Sequence, residues 1–136
     1  MKQTLETNEI LFALLKSSSS ITSSISGGVY VGERPLNSEK EDIVVNTIVL
    51  SQDSEPQIGT SNVNVHVPDK TVSIGGMQQK VTDNARLKKI CGLVIEAIRT
   101  AKIQGLKMLI ETQTNPLAES EISQHYINIR VSWNIH

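Results

Sequence analysis

The chain has 136 residues, 38% of them hydrophobic and 20% charged, with a formal net charge of −1; this is the length and balance of one folded domain, residues 1–136, with enough apolar material for a real core. Only one Phe, one Trp and two Tyr are present, so the core must rest on Ile, Leu and Val, and a base-stacking nucleic-acid reader is disfavoured. The single cysteine, Cys91, excludes an intramolecular disulfide and a cysteine-based zinc site.

Residues 4–16 read as a helix, with Thr4 or Thr7 as the cap and Leu11, Leu14 and Leu15 within one turn of each other. The run ILFALL is apolar nearly all round, which predicts burial on more than one side. It is too short for a membrane span, and acidic Glu6 and Glu9 precede it where a signal sequence would be basic. The reading is a soluble protein made in the cytoplasm. The serine-rich stretch 17–26 has a linker's composition, but Ile21 and Ile25 are spaced for one helical turn packed on the core, and Gly27 and Gly28 stop it.

Val29 to Val31 is a short strand candidate, followed by a polar connection with Pro35. Asp42 to Leu50 is β-branched and almost continuously apolar, which predicts a strand covered on both faces. Asn62 to Val67 alternates polar with Val and should pair with it as an antiparallel hairpin. Gly75-Gly76 turns a small hairpin within residues 71–81. Thr82 or Asp83 then caps a long helix to about Ile103. Its stripe comprises Leu87, Ile90, Cys91, Val94, Ile95, Ile98 and Ala101, with Arg86, Lys89, Glu96 and Arg99 opposite. Leu93 falls off the stripe. Residues 107–113 and 124–135 read as strands, with a loop between them. The predicted fold is α+β: an antiparallel or mixed sheet of about four main strands, two helices packed on one face, and a small β-hairpin excursion.

Catalytic and cofactor signatures do not emerge. The glycine pairs lack the lysine or the spacing of a phosphate loop, no nucleophile elbow is present, and the serine run 17–20 has no base in its neighbourhood. His66 and His125, with Asp69 or Glu121, would form a site only if the two strands were neighbours, and metal ligation would need a further reliable ligand. The acidic clusters Glu39, Glu41, Asp42 and Glu119, Glu121 fall in predicted loops and read as solvated carboxylates rather than an acid–base pair. Cys91 lies on the apolar stripe and reads as a buried, inert thiol. No enzyme, cofactor or metal is expected.

The charge is uneven along the chain. Residues 1–79 hold 5 basic and 9 acidic side chains, and residues 80–136 hold 8 and 5. Such asymmetry can orient self-association or docking on a charged partner; the alternative is a solvated helix face.

The order of these segments, SGGVYVGERP after the opening helix, then DIVVNTIVL, NVNVHV, the helix ARLKKICGLVIEAIRTA and two closing strands, resembles the small tail-completion and tail-terminator (neck) proteins of long-tailed bacteriophages and prophages. The resemblance covers most of the chain; TVSIGGMQQKV departs from it as an elaboration. It implies a structural virion protein at the tail neck. Such proteins form a homo-oligomeric ring, commonly hexameric, that caps the head-proximal end of the tail tube. The implied partners are the tail-tube protein and the head connector, with no membrane and with DNA only as the passing genome. On that view the polar strand faces, Asn62, Asn64, His66, Asn128 and Arg130, supply a wet subunit interface. The basic helix face, Arg86, Lys89, Leu93 and Arg99, would dock on an acidic neighbour or packaged DNA. The competing reading is a small non-enzymatic binding or adaptor domain that uses the same polar sheet face.

Overall fold

The computed structural model describes residues 1–119 and 121–136. In chain order they form α1 (Thr4–Lys16), α2 (Ser19–Thr22), β1 (Val29–Val31), β2 (Asp42–Leu50), β3 (Gln57–Pro68), β4 (Lys70–Ile74), β5 (Met77–Val81), α3 (Asn84–Thr100), β6 (Leu106–Gln113), β7 (Leu117–Glu119) and β8 (Gln124–Ile135). The fold is α+β, with a mixed sheet in the order β1-β2-β3-β8-β6, β7 pairing β8, and a separate two-stranded sheet β4-β5.

The sheet is larger than the expected four main strands and is mixed. β1 runs parallel to β2, with Val29 opposite Ile43, because the segment 32–41 carries the chain back before β2 begins. The other pairings are antiparallel. β7 lies where a loop is expected. It pairs Leu117 with Tyr126 along the edge of β8 that β6 leaves free, a signal too short to show as alternation.

β3 and β8 are paired over their whole length, and Val63, Val65, Ile127, Ile129 and Val131 are buried with the apolar side chains of α1, α2 and α3. Ile21 and Ile25 join this core, as their spacing predicts. β2 is covered on both faces only over Asp42–Val45; Asn46, Ile48 and Val49 are exposed beside a register shift between Thr47 and Val49. The bulge exposes Ile48 and Val49 side by side, and Leu50 returns to the core.

Caps differ from expectation at α1. Gln3 takes the cap position, and Glu6 reaches back to accept from its N–H at 3.0 Å, half of a capping box. Thr7 is buried instead. Asp83 caps α3 by accepting from Arg86 N–H at 3.3 Å. That helix ends at Thr100, since Ala101 is extended, so Ala101 leaves the predicted stripe.

Thr7 belongs to a buried chain of polar groups. Trp133 Nε1 donates to Ser61 Oγ at 2.7 Å, Ser61 and Thr47 are 2.7 Å apart, Thr47 and Thr7 2.6 Å, and Thr7 Oγ1 donates to the Thr4 carbonyl at 2.8 Å. An indole N–H only donates and a carbonyl only accepts, so every hydroxyl in between must donate in the same direction. Asn8 Oδ1 accepts from Thr47 N–H at 2.6 Å beside it. These bonds lock α1 onto β2, β3 and β8.

Candidate functional site: the open sheet face

Alternation along β3 and β8 sends Val and Ile to the helices and the polar residues to the opposite face, which no helix covers. The register sets these residues in rows: Asn46–Asn62–Arg130–Thr112, then Val44–Asn64–Asn128, then Asp42–His66–Tyr126–Leu117. Asn62, Asn64, His66, Asn128 and Arg130 therefore share one continuous face. Asn128 Nδ2 donates to Asn64 Oδ1 at 2.8 Å. Asn62 Oδ1, Arg130 Nε and Asn134 Oδ1 are buried within the face without a hydrogen-bond partner among the described residues. Buried polar groups are costly when unpaired, and the half-buried Asn and Arg side chains of the same strip keep further amide and guanidinium groups at its surface.

His66 behaves differently from the asparagines. Its ring stacks on Tyr126 with centroids 5.2 Å apart, and Nδ1 bonds the Glu119 carboxylate. Arg34, from the 32–41 segment, lies over this corner. It donates to Asp42 Oδ2 at 3.0 Å and to Gln124 Oε1, and lies 3.6 Å from Glu119. Ser38 Oγ donates to Asp42 Oδ2 at 2.6 Å, and Gly28 N–H to Asp42 Oδ1 at 3.0 Å. A Cβ on Gly27 would sit 1.9 Å from that oxygen, so only glycine lets the chain approach. Burial, then the Arg34 charge, pull the His66 pKa below its ordinary value against the opposing pull of Glu119. The corner is an internal clamp that holds the loop to the sheet, and His66 is one of its parts.

The acidic clusters expected in solvated loops are largely structural. Asp42 is buried at the start of β2, Glu119 pairs with His66, and Glu41 pairs with Arg86. His66 and His125 sit on adjacent strands but point to opposite faces, since His66 is opposite Tyr126. His125 takes its own carboxylate, Asp69, at 2.6 Å. Among the described residues no group of three or more His, Cys, Asp or Glu is placed to hold a metal ion.

The basic helix face is divided by the structure. Arg86 is engaged, with Nε and a terminal nitrogen 2.7 and 2.8 Å from the Glu41 carboxylate and a bond of 2.6 Å to the Ser24 carbonyl. The Glu41 hydrogen bond raises its pKa above the ordinary value. Leu93 packs partly against the core. Lys89 and Arg99 remain exposed.

A groove of about 580 Å³ runs between α3 and residues 113–116, lined by Leu87, Cys91, Gly92 and Ile95 on the helix side. Burial pushes the Cys91 thiol up to about 12, with Gln113 opposing weakly, so it is no nucleophile at neutral pH. No helix of the described residues is long and apolar enough to cross a membrane.

No protein-family model and no curated protein matches the chain. Its fold is similar to that of a chain in the solved structure of the virion of a native gene transfer agent particle, with a TM-score of 0.53 and 12% sequence identity, covering 92% of this chain and 90% of that one.

Proposed function

We propose that this chain is a non-enzymatic structural virion protein that caps the head-proximal end of a tail tube as a ring and joins the tail to the head connector. The observation that carries the reading is the likeness in fold to a chain of a gene transfer agent virion over nearly the whole of both chains. The site supports it. The open face is polar, lined by half-buried Asn62, Asn64, Asn128 and Arg130, as a wet protein–protein interface is. The titratable groups near it are tied into a structural clamp.

The subunit interface in this reading includes Asn62, Asn64, Asn128 and Arg130. Lys89 and Arg99 form a second, salt-sensitive contact with an acidic neighbour or the passing DNA. The test is light scattering coupled to size exclusion, with negative-stain microscopy, on the chain alone and with tail-tube protein. Rings, or capped tubes of limited length, are expected. A chain that stays monomeric at high concentration and ignores tube protein would overturn the reading and favour the adaptor domain.

A further inference from the structure

The hairpin β4–β5 is amphipathic. Lys70 is opposite Val81, Val72 opposite Gln79 and Ile74 opposite Met77, so these side chains share one face and Thr71, Ser73, Gln78 and Lys80 share the other. All of its apolar strand residues thus lie on one side. Ile74 is 52% and Met77 72% exposed, so the tip of that side is uncovered, while Val72 and Val81 nearer the base are half-buried. A lone two-stranded hairpin is marginal in water. The turn is firmly specified, with Gly75 and Gly76 at φ of 58° and 82°, the positive values that a two-residue hairpin loop requires.

A second uncovered apolar surface lies at the far end of β3. Val49, Ile58 and Leu109 are 56%, 56% and 62% exposed. The row Val49–Thr60–Ser132–Leu109 crosses the open face there, and Ile58 lies in the next row, opposite Asn134. Asn134 Oδ1 is one of the buried groups without a partner. Past the patch, the β2–β3 loop carries Asp53 and Glu55, whereas the hairpin carries Lys70 and Lys80 and no acidic residue.

We propose that the β4–β5 arm of one copy of this chain docks on the Val49–Ile58–Leu109 patch of a second copy. The apolar side of the arm covers the patch, and Lys70, on that same side, faces the acidic loop. The arm cannot serve its own patch. Ile58 and Pro68 lie at opposite ends of β3, roughly 34 Å apart at about 3.4 Å per residue, and the arm reaches only ~17 Å. Donor and acceptor are different surfaces, so the contact is heterologous, and repetition closes a ring or grows a filament. The inference rests on the self-association in the proposed function and adds the two surfaces that make it.

The test uses two double variants of the full chain, Ile74→Asp with Met77→Asp in the arm and Ile58→Asp with Leu109→Asp in the patch. All four positions are exposed, so both variants should keep the wild-type circular dichroism and melting temperature. A third variant replaces residues 70–81 by a short Gly-Ser link and checks the arm without added charge. Each variant alone should fail to assemble at concentrations where wild type is fully assembled, with the dissociation constant raised at least about tenfold. Mixed in equal amounts, the arm and patch variants retain one intact contact per pair and should give a dimer and nothing larger. If wild type assembles and the arm variants assemble equally well, the arm contact is overturned and the ring reading stands. A monomeric wild type overturns both.

Discussion

Replacing Ser61 by Ala should destabilise the fold well beyond the loss of one hydroxyl. Ser61 Oγ accepts from Trp133 Nε1 and donates to Thr47, each at 2.7 Å, in a chain that ends at the Thr4 carbonyl. Ser61 is fully buried and Trp133 nearly so. Removing the oxygen leaves the indole N–H without an acceptor and withdraws the donor from Thr47. One buried unsatisfied group costs about 1–3 kcal/mol. With an unfolding entropy of about 2.1 cal/mol/K per residue, a chain of this length loses roughly 3.5 °C per kcal/mol, so the melting temperature should fall by about 3–10 °C. Thermal and urea unfolding followed by circular dichroism measure this. Thr7→Ala interrupts the same chain at its other end, so the double variant should cost less than the sum of the two singles. A loss for Ser61→Ala below about 0.5 kcal/mol, or full additivity, would refute the relay.

Arg130→Glu should leave the monomer folded, because Arg130 Nε has no partner among the described residues, and should weaken assembly by at least about tenfold; an unchanged sedimentation profile contradicts the interface assignment. His66, with its folded pKa below the ordinary 6.5, contributes stability that is fully present above pH 6.5 and is lost as pH falls toward the folded value. His66→Gln should remove that part of the pH slope, and an equal slope in the variant rules it out. Cys91 should resist thiol reagents in the native state at pH 8, where a pKa of about 12 leaves on the order of one thiol in ten thousand ionised, and should react at once in urea. Rapid native labelling would mean that the groove beside α3 opens.

The strands and helices that alternate cleanly were legible in the sequence, and so was the open face. β8 runs from Gln124 to Ile135 as its period-two pattern predicts. Asn62, Asn64, Asn128 and Arg130 share a face because β3 and β8 pair without a register shift. What escaped depends on contacts far apart in sequence. Thr7 looked like a cap because its position near a helix start says nothing of Thr47. Asp42 and Glu41 looked solvated because Arg34 and Arg86 reach them only in the folded chain. His66 looked free for the same reason, since its carboxylate comes from β7, a strand of only three residues.

These corrections narrow how copies of the chain can meet. The His66 corner is closed by its own loop, so the available surface is the polar middle of the face and its apolar end. The sheet edges are poor docking sites. β1 has only three residues, and β6 carries exposed Lys107 and Glu111 beside a register shift between Ile110 and Thr112. Charges, bulges and short edge strands all oppose edge-to-edge pairing. Association through the face is therefore favoured over strand addition. Each contact of this kind is weak alone. In the proposed ring, closure adds a contact without another loss of translational freedom, so assembly would be cooperative.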